Sequence, residues 1–284
     1  MRIRPLLADA VTRLLAAGVE SPQSDARILL AHAIGAELAR LPLLDEIDGD
    51  QARAFEEMII LRERRIPVQH LTGKAHFRYL DLDVGPGVFV PRPETEVMTG
   101  WAIEQLRGMI TLLHRPLVVE LCAGSGAIAK AITTELTRVD IHAVELSENA
   151  AEYAFRNLRD TLVELHVGDM ATALPELDGA VDLVIANPPY IPLDAYESVA
   201  PEARDHDPTL ALFSGADGLD AIKVVARVAE RLLRPAGLLA VEHADVQGES
   251  APEVVAATRA FSAVRDHRDL AGRPRFVTAV RRPR

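Results

Sequence analysis

The chain is 284 residues long and 49% hydrophobic, enough to bury a full core and to form one large domain plus a smaller one, which excludes a disordered or low-complexity protein. Its net charge of −11 falls wholly on residues 81–284, because residues 1–80 are neutral, and an acidic domain repels a phosphate backbone, so a protein partner or a cationic cofactor is easier to accommodate than nucleic acid. Cys122 is the only cysteine, which excludes an internal disulfide, and Asp9 and Arg13 interrupt any signal-peptide core, so a reduced, cytoplasmic protein without a membrane span is expected.

In chain order, Leu6, Leu7, Ala10, Val11, Leu14 and Leu15 recur at helical spacing before a stop at Gly18. A second helix is predicted in "SPQSDARILLAHAIG", with Ser24 as N-cap and Gly35 as stop, and a third in "QARAFEEMIILRERR". Residues 1–66 therefore read as a small helical domain. The cluster "RERR", Arg62 to Arg65, reads as a solvated helix face rather than a nucleic-acid patch, since Glu63 interrupts it. From Val68 the pattern turns to glycine, proline and alternating apolar residues, which predicts a β-hairpin linker over residues 67–96.

Residues 97–284 alternate between the two periodicities. Strands are predicted in "PLVVELCAGSG", "VDIHAVELS", "VELHVGDM", "VDLVIANPPY" and "GLLAVEHA", with helices such as "AIAKAITTEL", "ENAAEYAFRNLR" and "GLDAIKVVARVAERLL" between them. This order implies an α/β fold with a mostly parallel, doubly wound sheet, in which ligands bind beyond the carboxyl ends of the strands.

Those strand ends carry the chemistry. "ELCAGSGAIA", Glu120 to Ala129, places Gly124 and Gly126 where a tight turn and a helix N-terminus meet a ligand, but Ile128 and Ala129 stand where a dinucleotide fingerprint has its third glycine. Glu145 follows about 20 residues later, the place of a carboxylate that accepts from both ribose hydroxyls. Asp169 and Met170 close the next strand, suited to an adenine amino group and an adenine ring. At the fourth strand end, "NPPY", Asn187 to Tyr190, is a rigid corner rich in acceptors, because two prolines remove two donors; a planar NH2 group fits there with both hydrogens accepted.

Together these features resemble a class I S-adenosylmethionine-dependent methyltransferase acting on planar nitrogen. "VPRPETE" at Val90 to Glu96, "GSGAIA", "NPPYI" and "LALFSGADGLD" at Leu210 to Asp220 closely resemble the HemK/PrmC family of peptide chain release factor glutamine methyltransferases. The likeness runs along nearly the whole chain, through "LTG", "VEHADVQG" and "RDLAGRPR". It implies a Rossmann-like, mostly parallel seven-stranded sheet whose last strand is antiparallel, behind an N-terminal helical domain that docks the release factor. It also implies that Glu120, Cys122, Ala123, Gly124, Ser125, Gly126, Glu145, Asp169, Met170 and Asn187 hold S-adenosyl-L-methionine, and that Asn187, Pro188, Pro189 and Tyr190 hold the glutamine of a Gly-Gly-Gln motif.

Some positions depart from the family pattern. Glu120, Cys122 and Ala123 stand in a turn that commonly reads Asp-Leu-Gly-Thr-Gly, Glu145 replaces an Asp, Met170 an aromatic, and "DHDP" at Asp205 to Pro208 an aromatic-Glu-Pro sequence. The long connection Ile191 to Gly218 is expected to cover the glutamine. The nine histidines form no metal-ligand spacing, and neither His206 nor His243 is assigned as a base. A monomer without nucleic-acid or membrane partners is expected. The alternatives are an adenine-N6 methyltransferase of DNA or RNA, which would need a basic track, and a non-catalytic protein that binds the release factor.

Overall fold

In the computed structural model, which describes residues 1–283, the chain divides into two compact units. The first comprises Met1–Lys74 together with Ala200–His206. Helix α1 (Ile3–Ala16) buries Ile3, Ala10 and Leu14 along one stripe and ends before Gly18, whose φ of 75° is the left-handed conformation glycine tolerates best. Helix α2 (Pro22–Ile34) begins before the expected cap, so Ser24 lies inside it; Pro22, with φ preset for the first turn, starts the helix instead, and left-handed Gly35 ends it. Helix α3 (Gly49–Glu63) starts from a capping box, in which the Asp48 carboxylate accepts from the Asp50 and Gln51 amides and the Gln51 side chain accepts from the Asp48 amide. A short helix, α4 (Val68–Thr72), occupies the start of the segment read as a hairpin. Leu14, Leu29, Leu30, Phe55 and Ile59 pack as the core of this unit.

The "RERR" cluster is not the solvated face read from its charge pattern. Arg62 is buried and donates to Asp25 and to Glu202, each at 2.8 Å, and Arg65 forks onto both Glu202 oxygens. Glu63 pairs with Arg13, which leaves Arg64 as the exposed member. Burial would raise the Glu202 pKa, but the two guanidiniums bring it down to about 2. Glu202, 140 residues from Arg62 in sequence, thus pairs with both Arg62 and Arg65 and shares Arg62 with Asp25.

The second unit opens with a hairpin of β1 (Lys74–Phe77) and β2 (Leu80–Asp83). Then follow α5 (Thr95–Met109), β3 (Leu117–Leu121), α6 (Ala127–Glu135), β4 (Asp140–Glu145), α7 (Glu148–Leu158), β5 (Glu164–Val167) and β6 (Val181–Ala186). Two short helices, α8 (Pro201–His206) and α9 (Thr209–Leu212), precede α10 (Asp220–Leu232), β7 (Leu233–Glu242), α11 (Ser250–Ala257), β8 (Phe261–Arg268) and β9 (Pro274–Arg281). Of these, α8 belongs to the first unit.

The seven strands run in the order β5-β4-β3-β6-β7-β9-β8, and β9 alone runs antiparallel to its neighbours. The last strand is therefore reversed, as the resemblance implied. Every residue of β6 is buried, which explains its unbroken apolar run; the exception in chemistry, Asp182, accepts from the Leu117 amide at 2.8 Å and from Arg234 at 2.6 Å. One face of the sheet packs on Met98, Ile103, Ile128, Ile132 and Leu158 from α5, α6 and α7, and the other on Ile222, Val225, Ala229 and Val255 from α10 and α11. Strand order reverses between β3 and β6, so the crevice for a ligand opens at the ends of these strands and of β4. Among the described residues, no helix is long and apolar enough to cross a membrane.

Candidate functional site

The turn after β3 is held from below and from the side. Cys122 takes a positive φ of 59°, and Gly124 and Gly126 follow at 56° and 77°. Glu120 does not project into the crevice: it is buried, and its Oε2 accepts from the Ala129 amide at 2.9 Å, at the start of α6. Burial pushes its carboxyl up to about 8, with the nearby Glu145 charge adding to the rise. Ala123 and Ser125 are also buried, the Ser125 carbonyl accepting from Asn157 Nδ2 at 2.9 Å. A side chain at Gly124 would meet nothing within 4 Å, so this part of the turn faces open space. At Gly126 an added Cβ would lie 3.0 Å from Leu158, a tight contact that adds to the strain of a side chain at a φ of 77°.

Glu145 ends β4 and joins two backbones. Its Oε2 accepts from the Gly124 amide at 2.7 Å and its Oε1 from the Ser147 amide at 2.8 Å. Each carboxylate oxygen keeps a second lone pair, which suits a pair of vicinal hydroxyls. Asp169 is exposed after β5, with Oδ1 turned back to the Ala171 amide at 2.8 Å. Met170 is half-buried, with its sulfur 3.6 Å from Cys122 Sγ. Burial raises the Cys122 thiol above its ordinary range, so it stays protonated and acts as packing rather than as a nucleophile.

At the end of β6, Asn187 Nδ2 donates to Thr95 Oγ1 at 3.1 Å, and no protein hydrogen bond is made to Asn187 Oδ1 among the described residues. Thr95 is the first residue of α5 and is buried. The Tyr190 hydroxyl donates to Glu242 Oε1 at 3.2 Å, at the end of β7. Gln247 Nε2 donates to the Tyr190 carbonyl at 3.0 Å and to the Asp217 carbonyl at 3.2 Å. Gly218 then passes so close that a Cβ would fall 2.3 Å from the Tyr190 carbonyl, at a φ of 72°. Pro188 is buried between these contacts and Pro189 is half-buried.

The crevice thus joins the expected turn, Glu145, Asp169, Met170 and the Asn-Pro-Pro-Tyr corner on adjacent strand ends. A family model described as the PrmC N-terminal domain matches residues 5–73, and one described as a methyltransferase domain matches residues 118–206. The release factor glutamine methyltransferase of Streptomyces coelicolor is 54% identical to this chain over 273 residues, covering 96% of each. The chain belongs to the release factor glutamine methyltransferase family. A 4-amino-L-phenylalanine/4-methylamino-L-phenylalanine methyltransferase of Streptomyces pristinaespiralis is 40% identical over 259 residues, 90% of this chain and 88% of that one. Among solved structures, a methyltransferase from Pyrococcus furiosus shares the fold, with a TM-score of 0.52 at 18% identity, over 73% of this chain and 91% of that one.

Two motifs that marked the resemblance acquire a physical meaning within this family member. "VPRPETE" supplies Thr95 to Asn187, and its Arg92 donates to the buried Asp207 carboxylate at 2.7 Å. Asp207 belongs to the divergent "DHDP" sequence, so that sequence supplies the acceptor for this arginine. "VEHADVQG" holds the Tyr190 carbonyl through Gln247, and the glycine of "ADGLD" lets the chain pass close against it.

The connection Ile191 to Gly218 is closed at its base by Ile191–Phe213 pairing and carries α8, α9 and a stacked Tyr196–Phe213 pair with centroids 5.6 Å apart. His243 is buried with one ring nitrogen 2.8 Å from the Ala244 carbonyl and the other 3.0 Å from Asp266, an arrangement that holds the ring rather than frees it. Cross-strand pairing of β4 with β5 brings His142, Glu164 and His166 together, a grouping with no signature in residue spacing; the two imidazoles, 3.0 Å apart, hydrogen-bond to one another.

Asn157 is a further supporting residue without a sequence signal. Its amide bonds the Ser125 carbonyl and both backbone groups of Asp83 in β2, so one side chain joins the glycine turn to the hairpin. The residues present fit S-adenosylmethionine: open space lies over Gly124, and paired acceptor sites remain on Glu145.

Proposed function

We propose that this protein methylates the side-chain amide nitrogen of the glutamine in the Gly-Gly-Gln motif of class I peptide chain release factors. The observation that carries the reading is Asn187: its Nδ2 is occupied by Thr95, so Oδ1 is the atom offered to a substrate. Glu145 would hold the ribose hydroxyls, the backbone of residues Cys122 to Gly126 would approach the cofactor, and Asp169 with Met170 would border the adenine. When bound, S-adenosylmethionine supplies an electrophilic methyl group on a sulfonium sulfur.

An amide nitrogen is a weak nucleophile, because its lone pair is delocalised into the carbonyl. Asn187 Oδ1 and the Pro188 carbonyl would accept its two hydrogens and aim the lone pair along the line of displacement. Orientation of this kind supplies up to roughly 7–11 kcal/mol in favourable cases. The amide protons become more acidic as the nitrogen–carbon bond forms, so the two acceptors bind the transition state more strongly than the ground state. The surplus proton passes to water after transfer, since His243 has both ring nitrogens engaged.

The helical segment 1–66 would dock the release factor, the connection Ile191 to Gly218 would cover the glutamine, and the protein would act in the cytoplasm as a monomer. A second reading, an arylamine substrate in the same corner, is favoured by the 40% identity to the aminophenylalanine enzyme. The 54% identity to the Streptomyces coelicolor enzyme, over nearly all of both chains, favours the release factor. Asn187→Ala tests the clamp: methyl transfer to a release factor is expected to be nearly abolished while S-adenosylmethionine affinity and melting temperature hold. Wild-type turnover by this variant would overturn the assignment.

A further inference from the structure

The amide of Asn187 can present either of its atoms to the crevice, and only one orientation makes it an acceptor. Beneath it lie Thr95, 3.1 Å from Nδ2, and then Glu242, fully buried at the end of β7. Glu242 Oε1 receives the Tyr190 hydroxyl at 3.2 Å, while its buried Oε2 has no hydrogen bond within 3.5 Å. The Thr95 hydroxyl acts on the same carboxylate as a hydrogen-bond donor, and it lowers the Glu242 pKa more than the Tyr190 hydroxyl does. We infer that Thr95 and Glu242 are positioning residues that set the polarity of the amide clamp: an ionised Glu242 draws the Thr95 hydroxyl proton toward itself, so that Thr95 can only accept from Asn187 Nδ2 and Asn187 Oδ1 is turned to the substrate. The inference rests on the glutamine-methylation reading and adds the origin of its geometry.

A hydroxyl has one proton to give. With Glu242 as a carboxylate, that proton is spoken for, and the chain runs in one direction from Asn187 through Thr95 to Glu242. With Glu242 protonated, its own O–H can donate to Thr95, the Thr95 proton is released, and Asn187 Oδ1 becomes an acceptor for Thr95 instead of for substrate. The groups that face Glu242 are the Tyr190 hydroxyl after β6, Thr95 and Glu94 at the start of α5, and Arg275 on β9. Burial pushes its carboxyl up to about 7, against the pull of Thr95, Arg275 and Tyr190. The switch between the two polarities therefore falls in the range where such an enzyme works.

The test is steady-state kinetics with an intact release factor across about pH 6 to 9, for the wild type, Thr95→Val, Thr95→Ser and Glu242→Gln, with S-adenosylmethionine affinity and melting temperature measured for each. Thr95→Val, which keeps the shape and loses the hydroxyl, is expected to lower kcat about 10- to 100-fold with unchanged cofactor affinity. Thr95→Ser restores the hydroxyl and is expected to recover most of the activity. The wild-type kcat is expected to fall on the acid side as Glu242 takes up a proton, and Glu242→Gln to remove that limb.

Wild-type kcat in Thr95→Val, or an acid limb that survives in Glu242→Gln, would overturn the inference, as would a Thr95→Val defect that lies wholly in cofactor affinity. If Glu242→Gln does not fold, the Val and Ser pair at position 95 decides the matter by itself. A wild-type enzyme that leaves the release factor unmethylated would instead overturn the glutamine reading, and this inference with it.

Discussion

Gly124 donates its backbone N–H to Glu145 Oε2 at 2.7 Å, across 21 residues of chain. The carboxylate at the end of β4 therefore shapes the turn at the end of β3 as well as facing the crevice, and its second oxygen fixes the start of α7 through Ser147. Glu145→Ala removes the proposed ribose acceptors and the bolt together. A hydrogen bond to a charged group is worth about 1.5–3 kcal/mol, so S-adenosylmethionine affinity is expected to fall at least about tenfold by calorimetry. An unchanged affinity would remove Glu145 from the binding site.

Glu120 makes the stability of the unliganded protein depend on pH. Its folded pKa is raised by burial from 4.5 to about 8, so the native state binds the extra proton between those values. Stability from this group is fully present below the unfolded value, declines as pH rises through the window, and is lost above about 8. Glu120→Gln keeps an acceptor for the Ala129 amide without a charge to bury. Urea denaturation is expected to find the variant more stable than the wild type at pH 9 and the gap to close toward pH 5; a constant gap would contradict the assignment.

Gly218 passes against the Tyr190 carbonyl with no room for a side chain and with a left-handed φ. Gly218→Ala must relieve contacts with both that carbonyl and Gln247, whose Nε2 would lie 2.7 Å from the new Cβ. Backbone strain of this type costs on the order of 1–3 kcal/mol. Lower thermal stability and reduced kcat are expected together, since Tyr190 belongs to the proposed clamp; normal kcat with a lowered melting temperature would place the loop outside the substrate corner.

The parallel sheet was readable because apolar strand segments alternate with helical ones, and β6 shows the pattern most fully: every residue in it is buried. The positions of Glu145 and Asn187 at strand ends were readable from the same pattern, and the structure places them at the ends of β4 and β6. Asn157, Thr95, Glu242 and Gln247 were not, because their meaning lies in contacts with groups 30 to 92 residues away, and no local pattern separates a buried bridging side chain from an ordinary polar one. Charge pattern misled at Arg62, where Asp25 and Glu202 turn an apparent surface cation into a buried one. Ser24 misled as a helix start because Pro22 fixes the first turn two residues earlier.

The most direct measurement incubates the purified protein with S-adenosylmethionine and a full-length class I release factor, with adenine-containing DNA and 4-amino-L-phenylalanine as parallel substrates, and locates any added methyl by peptide and small-molecule mass spectrometry. The account predicts one methyl on the glutamine of the Gly-Gly-Gln motif, none on DNA, and a far slower reaction with the free amine. Methyl on adenine or on the arylamine, with the glutamine untouched, would contradict it.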